Sequence, residues 1–195
     1  MRPQLDPKLW GPSYWTILHT YADHYKPIHR NKTIAFILSI PTLLPCGSCQ
    51  DHAIAFILQT ITVDPDLKQT TLSARTLQRF FTDLHNSINF RLGKPLFQES
   101  SYPKYDLKQT IRAFWYVMDT LSYSYVDNPS PIFIKSITHF MDLIPYLLHS
   151  DQWTYNASLF LSNTDLNGAI TSSASFRAFK DRFKGYMGYS VEVKS

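Results

Sequence analysis

The chain has 195 residues, 44% of them apolar and 15% aromatic, which is enough to build a substantial core and argues against extensive disorder. Its net charge is +4, but only 17% of residues are charged and the basic ones are scattered, so no footprint for nucleic acid is expected. Two cysteines are too few for a disulfide framework, no stretch has the makeup of a secretory leader, and no apolar run is long enough to cross a bilayer; a non-secreted protein without a membrane span is expected.

Residues 1–9 carry two prolines and no periodicity and are expected to form an extended lead-in. The first helix is predicted from near Trp10-Gly11-Pro12, with Trp15, Leu18, His19 and Ala22 at helical spacing, until Pro27. A second is predicted from Asn31 as N-cap to Pro41, where the proline ends or kinks it. A third follows Cys46, with Cys49, His52, Ala53 and Phe56 on one face, and ends before Asp64-Pro65. The fourth begins at Leu72 or Ser73. Its stripe is Leu77, Phe80, Phe81, Leu84, Ile88 and Leu92, with Gly93 as the stop, and His85 and Asn89 line an adjacent face with Asn86 beside them.

Residues 98–105 read as a linker. Beyond it, Asp106 is predicted to cap a helix through Leu121, and Ser130-Pro131 to start another through Ile144. Weaker helical segments run from Trp153 to Leu161 and from Phe176 to Met187. In the last, Arg177, Lys180, Arg182 and Lys184 surround Phe176, Phe179 and Phe183; a solvated face over an apolar core is favoured over a membrane-surface helix. No strand alternation is convincing. The expected fold class is all-α, a four-helix bundle over residues 1–100 followed by a second helical module over residues 106–195.

Cys46-Gly47-Ser48-Cys49 holds the only two cysteines of the chain, directly after Pro45. The spacing places both sulfurs on the first turn of a helix, within disulfide reach, where the helix dipole stabilises a thiolate. A redox pair and a zinc half-site are both open from this spacing alone. Zinc needs four ligands, and His52 or His85 would complete only part of the set, so no metal is expected. The strands expected around a thioredoxin-like pair are missing.

The order Trp10-Gly11-Pro12-x-x-Trp15-x-x-x-His19, then Cys46-x-x-Cys49, then HNSINFRLGKPLF from His85 to Phe97, resembles the Erv/ALR family of FAD-dependent sulfhydryl oxidases. The resemblance covers residues from about 8 to 105. It implies FAD held in a four-helix bundle, with a Cys-x-x-Cys disulfide against the flavin that oxidises protein thiols and passes electrons to O2, giving H2O2. By that resemblance Cys46, expected to be the more exposed, is attacked by substrate, and Cys49 faces the flavin. Gly11, Trp15, His19, Tyr25, His85, Asn86, Asn89, Lys94 and Tyr105 match or fall near cofactor-binding positions.

Many relatives carry a further cysteine pair that shuttles electrons; this chain has none, so its substrate reaches Cys46 directly or a separate thioredoxin-like protein supplies the shuttle. The resemblance further implies a homodimer. Oxidases followed by a helical extension suggest a large-DNA-virus member acting in the host cytoplasm or virion. The alternative function is a structural or interaction protein that keeps the bundle without turnover.

Overall fold

In the computed structural model, residues 4–98 and 104–188 are described; residues 1–3 of the lead-in and 99–103 of the predicted linker lie outside them, as does the C-terminal stretch from residue 189. The described residues form helices and no strand. Helix α1 spans Pro7–Asp23, α2 Arg30–Leu43, α3 Gly47–Val63, α4 Ala74–Arg91 and α5 Leu107–Ser124. They are followed by α6 Pro131–Leu143, α7 Asp151–Ser162, the short α8 Leu166–Ala169 and α9 Ser173–Tyr186. Single 3-10 turns, Pro27–His29 and Ile144–Tyr146, precede α2 and follow α6.

Side-chain caps set most of these starts. Ser73 and Asp106 each form a reciprocal capping box, and the Ser130 hydroxyl accepts from the Phe133 amide. Helix α1 starts earlier than the expected Trp10 because the Asp6 carboxylate accepts the Lys8 amide and Pro7 occupies the first turn. Asn31 does not cap α2; the Pro27–His29 turn brings the chain into helix before it, and His29 stands at the cap position. Pro41 lies inside α2, which continues to Leu43. With no N–H on Pro41 to reach the Ile37 carbonyl, the helix ends two residues beyond it. Gly93 stops the chain after α4 with φ of 62°, a left-handed conformation that favours glycine.

Helices α1 to α4 pack as neighbours, α1 on α4 and α2 on α3. In space the second half is laid directly on the first, α5 along α1 and α6 along α2. Ile17 and Leu18 of α1, Phe36 and Ile40 of α2, Val117 and Leu121 of α5 and Phe140 of α6 meet around one small apolar cavity. Polar pairs cross the same seams: Thr20 Oγ1 lies 3.4 Å from Thr110 Oγ1, and Ser39 Oγ 2.9 Å from His139 Nδ1. One continuous hydrophobic cluster runs through both halves.

Helix α9 closes the far side. Phe176, Phe179 and Phe183 are fully buried, and Phe114, Trp115, Trp153 and Phe160 cluster with Phe183. The basic residues between these phenylalanines lie outside that core, Lys180 pairing with Asp119 at 2.6 Å, so the solvated-face expectation holds.

Candidate active site

Cys46 and Cys49 are joined in a disulfide, their Cα atoms 5.2 Å apart. Cys46 is the N-cap of α3: extended backbone there turns into helix, and its sulfur accepts the Cys49 amide at 3.3 Å. Ser48 Oγ lies 3.4 Å from the same sulfur. A thiolate at Cys46 would therefore face an N–H, a hydroxyl and the positive end of a helix of 17 residues, the surroundings that lower a thiol pKa. The expected difference in exposure is not observed. Cys46 is 8% exposed and Cys49 6%, because the chain before α1 passes beside the pair: Leu5 N–H donates to Pro45 O at 2.9 Å and Gly47 N–H to Gln4 Oε1 at 2.6 Å. Hydrogen bonding, not exposure, distinguishes the two sulfurs.

The second component is a group of flat side chains between α1 and α4. Trp15 stacks on His85 with ring centroids 4.0 Å apart and planes 9° from parallel. His19 Nε2 lies 3.1 Å from His85 Nδ1, and the Phe97 ring packs parallel to both imidazoles. Gly11, one turn before Trp15, is buried, yet a Cβ added there would meet no atom within 4 Å. Open space therefore adjoins the α1 backbone at this point.

His19 and His85 are both pushed down to about 4, His19 by burial and then by His85, His85 by burial and then by the positive charge of Lys94. Near neutral pH both are uncharged and can each donate and accept one hydrogen bond. The folded protein takes up the His19 proton only near pH 4, whereas the unfolded chain takes it up around the ordinary 6.5. Stability from this group is thus complete above the ordinary value and is lost as pH falls through the window to 4, by on the order of 3 kcal/mol for His19. Urea unfolding across that range should show the decline, and His19→Gln should flatten it. An equal slope in the variant would assign the pH dependence elsewhere.

Asn86 and Asn89 act on the loop after α4. Asn86 clamps Phe97 with two bonds, Nδ2–H to Phe97 O at 2.9 Å and Phe97 N–H to Oδ1 at 2.7 Å. Asn89 donates to Pro95 O at 3.3 Å and accepts Lys94 N–H on its carbonyl at 2.9 Å. These clamps hold the loop that carries Lys94, which is exposed, and Phe97, which covers the imidazoles.

The disulfide lies at the same end of the bundle. Trp10 Nε1 donates to Leu5 O at 3.2 Å and Tyr14 Oη to Leu43 O at 3.5 Å, tying the start of α1 to the segments flanking the cysteines. His52 of α3 meets Ser87 of α4 at 2.9 Å, so the start of α3 lies level with the end of α4. Gly11, Trp15, His85, Asn86, Asn89 and Lys94 therefore lie toward the end of the bundle that carries the disulfide, and His19, one turn beyond Trp15, reaches His85 from further along α1.

Tyr25 and Tyr105 lie outside this group, Tyr25 just past the end of α1 and Tyr105 just before α5. Tyr25 is in the core, its hydroxyl donating to Thr71 O at 2.8 Å; Tyr105 lines a cleft with Thr20, Asp23, His24 and Lys104. Phe97, Ser48 and the Gln4-Leu5 segment join the site without having been singled out as site residues; only Phe97 carried a signal, as the last residue of the HNSINFRLGKPLF motif. Among the described residues no group of three or more His, Cys, Asp or Glu side chains is placed to hold a metal ion, and no helix is long and apolar enough to cross a membrane.

Residues 12–109 match the Erv1 / Alr family. The chain is 48% identical over 101 residues to 347L of Invertebrate iridescent virus 6, whose name gives it as a FAD-linked sulfhydryl oxidase; the match covers 49% of this chain and 90% of that protein. A second such relative, 096R of Invertebrate iridescent virus 3, is 44% identical over 95 residues, 47% of this chain and 61% of the relative. The FAD-linked sulfhydryl oxidase of African swine fever virus (isolate Warthog/Namibia/Wart80/1980) is 31% identical over 97 residues, 48% of this chain and 76% of its own. No solved structure matches the chain significantly. The matched half contains the helix-capping disulfide, the α1 and α4 aromatic and imidazole group and the clamped loop, and the chain belongs to the Erv1/Alr family.

Proposed function

We propose that this protein is a FAD-dependent sulfhydryl oxidase that forms disulfides in protein thiols and reduces O2 to H2O2. The observation that carries the reading is the Cys46–Cys49 disulfide at the tip of α3, at the bundle end where Trp15, His19, His85 and Lys94 gather. The residues there fit FAD. Open space beside Gly11 admits a ring against the backbone, neutral imidazoles and an indole offer flat faces and hydrogen bonds, and Lys94 offers a cation to phosphate. Gly11, Trp15, His19, His85 and Lys94 would hold the cofactor, with Asn86 and Asn89 fixing the loop. Bound there, FAD supplies a two-electron acceptor for the reduced cysteine pair and an outlet to O2.

The protein's own step is thiol–disulfide exchange. A substrate thiolate bonds to Cys46 Sγ while the Cys46–Cys49 bond breaks and Cys49 leaves as a thiolate. A second substrate thiolate then attacks the substrate sulfur of the mixed disulfide, and Cys46 leaves. Its departing charge falls on the Cys49 amide and the Ser48 hydroxyl. The substrate is oxidised by two electrons, and the cysteine pair is reduced by two.

Residues 1–100 carry this chemistry and 106–195 are a helical extension in this reading. Protein dithiols are the substrates, directly or through a thioredoxin-like shuttle, in the host cytoplasm or virion. A homodimer would form on surfaces other than the α1 and α2 faces that α5 and α6 cover. Purified protein should be yellow, with flavin absorbance, and should consume O2 only when a dithiol is added, yielding a molecule of peroxide for each disulfide formed. Colourless protein holding stoichiometric zinc would overturn the reading.

A further inference from the structure

The segment before α1 does more than lead into the helix. Leu5 N–H donates to Pro45 O at 2.9 Å, and Gln4 Oε1 accepts Gly47 N–H at 2.6 Å. These two partners flank Cys46 on either side in the chain, one an acceptor and the other a donor. Asp6 capping α1 fixes the segment from beyond, and Trp10 Nε1, donating to Leu5 O at 3.2 Å, holds it from the side. Leu5 packs partly buried against the core while Gln4 remains exposed. The result is a strap of two residues beside a disulfide whose cysteines are 8% and 6% exposed.

A carbonyl before the cysteine and an amide after it are what an extended polypeptide pairs with, through one backbone N–H and one oxygen acceptor. The strap offers that complement. We infer that Gln4-Leu5 occupies the place of the substrate: an extended segment of the protein dithiol displaces the strap, donates an amide to Pro45 O, accepts Gly47 N–H, and thereby lays its cysteine against Cys46 Sγ. The inference rests on the sulfhydryl oxidase reading and specifies its substrate as an extended, accessible dithiol segment, not a cysteine pair fixed within a helix. The step that follows displacement is the exchange described above: a bond forms from substrate sulfur to Cys46, the Cys46–Cys49 bond breaks, and Cys49 takes the electron pair.

The test compares the rates at which an unstructured dithiol peptide and dithiothreitol reduce Cys46–Cys49 in the purified full chain, read by acid quench, alkylation and mass. Gln4→Ala removes one strap bond from an exposed residue and leaves the core intact; a chain lacking residues 1–4 removes it with the backbone. Loss of one hydrogen bond should speed the peptide reaction by roughly 3- to 10-fold. Dithiothreitol, which cannot pair with Pro45 and Gly47, should gain less. Unchanged peptide rates in both variants, or equal gains for both reductants, would overturn the inference, the second by reducing the strap to a simple cover. The readout needs neither flavin nor O2, so failure of the strap and failure of the oxidase reading are separate results: the first is unchanged peptide rates, the second an absence of dithiol-dependent O2 uptake.

Discussion

Cys46→Ser and Cys49→Ser each abolish dithiol-dependent O2 uptake, with losses of at least about 1,000-fold, the scale on which removing a covalent nucleophile acts. No other cysteine exists to take over, since the chain contains two. The variants should nevertheless differ from each other. In Cys49→Ser the Cys46 sulfur is left as a free thiol at an N-cap, with the residue-49 amide at 3.3 Å and the Ser48 hydroxyl at 3.4 Å in the parent geometry. It should alkylate readily well below the ordinary thiol pKa of about 8.5 and hold substrates as stable mixed disulfides. In Cys46→Ser the remaining thiol lies inside the helix without the capping position, and trapping should be much slower. The measurement is iodoacetamide reactivity against pH for each variant, together with recovery of mixed disulfides. Equal reactivity of the two thiols would remove the assignment of Cys46 as the substrate-facing sulfur.

A chain ending at residue 105 fails to unfold as a cooperative unit and is recovered aggregated or expanded, whereas the full chain melts in one transition. The expectation follows from what α5 and α6 cover. Ile17, Leu18, Phe36 and Ile40 are buried in the seam with Val117, Leu121 and Phe140. Exposing such side chains costs about 1.5–3 kcal/mol each, so the four first-half residues alone account for roughly 6–12 kcal/mol. That is the size of a whole domain's stability, about 5–15 kcal/mol. Calorimetry of the two chains decides it: a truncated chain with a sharp melt within a few degrees of the full one would show that the second half is an attachment and not part of the core.

Much of this was legible in the sequence because local chemistry decided it. Ser73, Asp106 and Ser130 start helices with their own side chains, and Gly93 ends one with a backbone conformation that few other residues adopt. Cys46 and Cys49 bond because one turn at the start of a helix brings the two cysteines of the chain within reach of each other. What escaped was decided over distance. Gln4 and Gly47 are far apart in the chain, and nothing in either residue announces that an amide would find that side chain; the strap, and with it the low exposure of Cys46, could not be inferred. Asn86 and Asn89 stand out in the sequence as polar side chains beside an apolar stripe, but their bonds to Phe97 and Pro95, which fix the loop after α4, are made to residues beyond the helix and were not foreseen. The start of α2 was misplaced because Asn31 has the right chemistry for a cap, while the turn from Pro27 had already begun the winding.

Six successive residues of α1, Ile17 to Ala22, are buried, so this stretch of the helix has no outward side. His19 faces α4 and the imidazole group, while Thr20, the next residue, faces α5. A substitution that suits the second half must therefore also suit the redox half, because both press on the same turns of one rod. The iridescent virus 347L protein matches the first half over 90% of its own length, and in this chain that half shares its first helix with the second, so a change at the buried turns of α1 is felt on both sides at once.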